Sequence, residues 1–143
     1  MKKLLLFLCL LASGSLLHAA GADDIVGIWL NGNGKGQIQI YKEGNKYFGK
    51  IIWLAEPNDA SGRPKIDAKN PDPVLQGKPL LGAVVLRNFV FDSNEWNSGH
   101  VYDPQNGKEY KCYLRLKDPK TLTVRGYIGF SLIGRTETWT KLK

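Results

Sequence analysis

The sequence has 143 residues, with 20 Lys and Arg against 13 Asp and Glu, for a formal net charge of +7. That length supports one domain with a sizeable core. The positive charge comes without an arginine-rich run or a base-stacking motif, which argues against a nucleic-acid partner and reads as solvated surface lysines.

The N-terminus begins Met1-Lys2-Lys3, continues with the apolar run Leu4 to Leu11, and reaches the small residues Ala20-Gly21-Ala22. This is the three-part layout of a secretory signal peptide. Cleavage is expected after Ala22, with the bond after Ala20 as the alternative. The expected division is a signal peptide over 1–22 and a single domain over 23–143, exported to the periplasm or beyond the cell. The apolar run is too short to span a bilayer and no other stretch is long enough, so no transmembrane segment is expected. Cys9 lies inside the run and leaves with it. Cys112 then stands alone, which excludes an intramolecular disulfide. Losing Lys2 and Lys3 lowers the formal charge by two, to +5.

The remaining chain reads as short strands separated by turn residues. Ile25 to Leu30 is nearly continuous in apolar residues, and the turn residues Asn31-Gly32-Asn33-Gly34 follow it. This glycine-rich turn lacks the spacing and the following helix of a phosphate loop. Gly36 to Lys42 alternates, with Ile38 and Ile40 on one face. Lys46 to Leu54 returns with Tyr47, Gly49, Ile51 and Trp53 on one side, and Gly49 marks a bulge or sharp bend.

Lys65 to Gly82 breaks the pattern. Pro71, Pro73 and Pro79 exclude a central strand, because proline fixes φ and has no N–H for a ladder. The segment predicts a long ordered loop, with one helical turn over Pro73 to Gln76 capped by Asp72. Strands resume at Ala83 to Phe91, Trp96 to Asp103 and Lys108 to Leu116, the last two joined by a turn containing Asn106-Gly107, a strong hairpin signal. Alternation points Tyr110, Cys112 and Leu114 inward. Thr121 to Tyr127 and Arg135 to Leu142 complete about eight strands. Short antiparallel strands in so small a domain predict an all-β, up-and-down barrel with one long proline-rich loop, since closure removes exposed edges. A sandwich is the competing architecture.

Several motifs then stand in order: Asp67-x-Lys69-Asn70-Pro71-Asp72, Lys78-Pro79-Leu80-x-Gly82, Tyr102-Asp103-Pro104-x-Asn106-Gly107-Lys108-x-Tyr110, Val124-Arg125-Gly126-Tyr127-x-Gly129 and Gly134-Arg135-Thr136-x-Thr138-Trp139-Thr140. Together they resemble the bacterial secreted family catalogued as domain of unknown function 2147 (DUF2147), across essentially the whole mature chain. Gln76 and Lys78 stand where the family pattern often carries arginine. The resemblance implies a lipocalin-like (calycin) barrel and brings no established chemistry. Gly27-Ile28-Trp29 is similar to the Gly-x-Trp opening of calycins, in which an arginine near the chain's end packs over the tryptophan. That likeness implies closure by Gly27, Trp29 and Arg135, with cation–π stacking as the physical reason.

Among candidate sites, Trp53, Tyr110 and Trp139 are the bulky inward residues that would line or fill the interior. His100 and Cys112 supply too few ligands for a metal by His and Cys, and no cofactor motif is present. In the motif loop Asp67, Lys69, Asn70, Pro71 and Asp72, the four polar residues Asp67, Lys69, Asn70 and Asp72 are expected to fasten the loop to the barrel through side-chain to backbone hydrogen bonds. No set of nucleophile, base and acid declares itself, so an enzyme is disfavoured. The leading expectation is a barrel enclosing a small hydrophobic or amphipathic ligand such as a fatty acid. The alternative is an envelope interaction module with a filled core and no ligand. Oligomeric state and partners are open.

Overall fold

The computed structural model describes residues 19–129 and 133–143. The expected signal peptide therefore lies almost wholly outside the described residues. Eight antiparallel strands close on themselves in sequence order: β1 (Gly27–Leu30), β2 (Gly36–Glu43), β3 (Lys46–Leu54), β4 (Val84–Asp92), β5 (Glu95–Asp103), β6 (Lys108–Asp118), β7 (Thr121–Tyr127) and β8 (Gly134–Lys141). Strand β8 returns to β1, with Trp29 opposite Lys141 and Leu30 opposite Thr140. The up-and-down barrel expected from the alternation is thus the fold, closed through a short seam of two residue pairs between β1 and β8.

The first predicted strand is shorter than its apolar run. Ala22–Ile25 forms a 3-10 helix instead, and the Trp29 Nε1–H donates to the Ile25 carbonyl at 2.8 Å. Ile25 is buried as part of the core rather than laddered.

Up-and-down connectivity places the β1–β2, β3–β4, β5–β6 and β7–β8 connections at one end of the barrel and the 3-10 helix at the other. The helical end is packed solid by Trp29, Tyr47, Leu86, Phe89, Trp96 and Leu122. Two inward glycines make that packing possible. A Cβ on Gly99 would stand 2.5 Å from the Phe89 ring, and one on Gly49 would stand 2.9 Å from Leu86 Cδ1. The irregularity expected at Gly49 is present as register shifts on both sides of it in the β3–β4 ladder.

The β3–β4 connection runs over 55–83, pinned by bridges between Asn58 and Pro64 and between Ile66 and Pro79. After Asp72 the chain turns, with Leu75 N–H donating to the Asp72 carbonyl at 3.0 Å and Val74 N–H to Asp72 Oδ1 at 3.0 Å. The capping expected of Asp72 is therefore made on a run of turns rather than a helix.

Candidate functional site

Beyond the packed layer the barrel is hollow. A cavity of about 710 Å³ opens at the end that carries the long connection, with Ile38, Ile51, Val85, Val101, Val124 and Trp139 among its wall residues. These apolar side chains come from β2, β3, β4, β5, β7 and β8, whose alternation turns one face to the interior. Charged residues join the wall from the loops, the end of β5 and the upper part of β8: Lys35, Glu56, Lys65, Asp103, Arg135 and Glu137.

Part of this charge is already paired. Lys65 Nζ lies 3.7 Å from Glu56 Oε2, and Asp103 Oδ1 accepts from the Gln105 N–H at 2.9 Å. Lys35, Arg135 and Glu137 have no side-chain hydrogen bond or ion pair among the described residues. Arg135, Glu137 and Trp139 alternate along one inward face of β8, so the wall descends from an exposed guanidinium through a half-buried carboxylate to an indole that is 4% exposed. The Trp139 Nε1–H is buried without a hydrogen-bond partner. Tyr110, also in the wall, accepts from Asn106 Nδ2 at 2.9 Å.

Two of the three interior aromatics anticipated from the sequence, Tyr110 and Trp139, line the cavity, and Trp53 does not. Trp53 is 42% exposed. The β2–β3 ladder shifts register between Gln37 and Ile38, pairing Gln37 with Trp53 but Ile38 with Ile51. The extra residue, Ile52, moves the alternation by one, and Leu54 lines the cavity in place of Trp53. The strand irregularity was invisible to a strict count of alternate residues.

The closure expected of Arg135 is made by Lys141. Lys141 Nζ lies 5.5 Å from the centroid of the Trp29 ring and 3.0 Å from the Asp24 carbonyl. Arg135 pairs with Gly126 near the open end, six residues up the strand from the Trp29 level. Gly27 is in place for closure: a Cβ there would meet the Lys143 carbonyl oxygen at 2.2 Å and Lys141 Cε at 2.8 Å. Only glycine lets the chain's end approach so closely. The signal for Lys141 lay in the alternation itself, which carries the inward face of β8 from Arg135 to Lys141.

The motif loop is fastened at its buried residues. Asp67 accepts from the Tyr102 hydroxyl at 2.6 Å and from Asn70 Nδ2 at 2.8 Å, and both Asp67 and Asn70 are buried. Lys69 Nζ donates to the Gln105 carbonyl at 2.7 Å. A Cβ on Gly107 would come within 2.0 Å of the Lys69 carbonyl oxygen, which explains why the β5–β6 turn carries glycine there. Pro71 and Asp72 are exposed. Tyr102 was not singled out as the loop's anchor from the sequence, because nothing local links it to a residue so distant in the chain.

Cys112 and His100 lie on opposite faces of the sheet, Cys112 opposite Gly99 and His100 opposite Lys111 in the β5–β6 ladder. The Cys112 thiol is pushed up to about 12, chiefly by burial and further by the negative charge of Glu137. Such a thiol is not a nucleophile at neutral pH. Among the described residues no three His, Cys, Asp or Glu side chains converge on a metal position, and no helix is long and apolar enough to cross a membrane.

The model of a family described as "Uncharacterized protein conserved in bacteria (DUF2147)" matches residues 27–141. No curated protein matches the chain. Among solved structures, protein HP1028 from Helicobacter pylori, described as belonging to the lipocalin family, matches with a TM-score of 0.71. The two are 20% identical, and the match covers 82% of each chain. At that identity the likeness is one of fold.

Proposed function

We propose a carrier function for this chain, which belongs to the bacterial DUF2147 family and has a lipocalin-type barrel: it is exported and holds one small apolar or amphipathic molecule, such as a fatty acid. The observation that carries this reading is the cavity of about 710 Å³ with its apolar wall. It falls within the roughly 300 to 1,000 Å³ usual for small-molecule sites. An eight-stranded barrel either fills its interior or holds one small ligand, and this one does both at opposite ends. An apolar tail would reach toward Val124 and Trp139 while a polar head meets the charged mouth. The alternative of a filled core with no ligand leaves the void unexplained. Export rests on the three-part N-terminus, and a periplasmic or secreted location follows from it.

The test is native mass spectrometry of protein purified under mild conditions from an exporting host, followed by lipid extraction. The expected result is a stoichiometric hydrophobic adduct released by organic solvent. Protein that emerges bare, and stays bare when offered medium-chain amphiphiles, would overturn the reading.

A further inference from the structure

We infer that the ligand carries, next to an anionic head, a hydrogen-bond donor one step toward its tail, a hydroxyl or an amide N–H, which is met by Glu137. The inference deepens the carrier reading and rests on it.

The argument starts from β8. Arg135 and Glu137 are successive inward residues, about 7 Å apart along the strand. Arg135 is exposed at the mouth and Glu137 is half-buried below it, directly above Trp139. Neither has a partner among the described residues. The Glu137 carboxylate, half-buried in the cavity wall with Oε1 beside Gly32 of the β1–β2 turn, has no donor within the described residues, and a donor on the ligand supplies one. With an ordinary fatty acid the carboxylate pairs with Arg135 or Lys35 at the mouth, and methylene groups then pass Glu137 without satisfying it. An amphiphile with a hydroxyl or amide N–H just inside its head satisfies both groups in the order in which β8 presents them. The buried Trp139 Nε1–H, also without a partner, adds an unspent donor beside the floor of the same cavity.

Binding of dodecanoate, 3-hydroxydodecanoate, N-decanoylglycine and dodecanol is measured by calorimetry below their aggregation concentrations. A hydrogen bond to a charged group corresponds to a preference of about tenfold or more. The expected order is 3-hydroxydodecanoate or N-decanoylglycine at least tenfold tighter than dodecanoate, and whichever of the two leads identifies the donor as hydroxyl or amide. E137L should abolish this preference and tighten dodecanoate. R135Q should weaken all three acids alike, spare dodecanol and keep the preference. Equal affinities for substituted and plain acids in the parent protein, or a preference that survives E137L, would overturn the inference and leave the carrier reading standing. Failure of every probe to bind would overturn both.

Discussion

Lys141 sets its ammonium 5.5 Å from the centre of the Trp29 ring while donating to the Asp24 carbonyl, so one side chain ties the end of the last strand to the first strand and to the helix that plugs the barrel. Trp29 is fully buried. Its replacement by alanine should cost about 3 to 5 kcal/mol as a large core truncation. Lys141→Ala should cost about 0.5 to 2 kcal/mol through the lost cation–π contact and hydrogen bond. Arg135→Lys should stay within about 0.5 kcal/mol, because that side chain is exposed at the other end. Urea unfolding of the three variants checks the order. A cost for Arg135→Lys exceeding that of Lys141→Ala would return closure to the arginine.

The loop anchor predicts a second stability effect, remote from the cavity floor. Tyr102→Phe deprives the buried Asp67 carboxylate of one of its two side-chain donors and should cost about 1.5 to 3 kcal/mol. Limited proteolysis within 55–83 should accelerate in the same variant. Unchanged unfolding and unchanged cleavage would show that the bond does not hold the loop.

Alkaline pH should unfold the protein through three buried groups. Burial, ahead of the hydrogen bonds to Asp67 and Asp23, pushes the Tyr102 and Tyr47 hydroxyls up to about 12 from 10.0. Burial likewise pushes the Cys112 thiol up to about 12 from 9.0. In each case the folded chain keeps a proton that the unfolded chain releases. Their contribution is therefore complete below pH 9 and is lost as pH rises toward 12. Urea midpoints measured from pH 7 to 11.5 should fall from about pH 9 onward, and Cys112→Ala should move the onset up toward pH 10. A midpoint independent of pH to 11 would contradict the assignment.

On the proposed export, removal of the N-terminal segment should free Gly21 rather than the Asp23 expected from the sequence. The buried Trp96 donates its Nε1–H to the Ala22 carbonyl at 2.9 Å, and the Gly21 N–H reaches Asp24 Oδ2 at 2.7 Å. Cleavage after Ala20 keeps both contacts and turns the second into a charged pair. Cleavage after Ala22 removes that acceptor, leaving a buried donor exposed to a penalty of about 1 to 3 kcal/mol. The intact mass of protein recovered from an exporting host distinguishes the two, and an N-terminal Asp23 would refute the preference.

The barrel was legible because strand alternation and turn chemistry are local. Ile38 and Ile40, Tyr110 to Leu114, and the Asn106-Gly107 turn each carry their own signal. The errors arose where a face or a partner depends on something distant. Trp53 left the interior because Ile52 is accommodated as an extra residue against β2, and no local pattern marks a bulge without glycine. Arg135 lost its place over Trp29 because the β1–β8 register brings Lys141 to that level. The half-hollow interior was unreadable for a similar reason. Gly49 and Gly99 draw Leu86 and Phe89 into the closed end, and the volume this leaves above them depends on all eight strands at once.

The cavity is the central claim, and filling it is the most direct test. Val101 lies in the wall, within reach of the lumen and next to Gly126, so Val101→Trp directs an indole into the space a tail would occupy. Calorimetric titration with dodecanoate, on variant and parent proteins of matched thermal unfolding, should show binding to the parent and at least a tenfold loss in the variant. Equal affinity in the two, with the variant folded, would place the ligand outside the barrel and contradict the account.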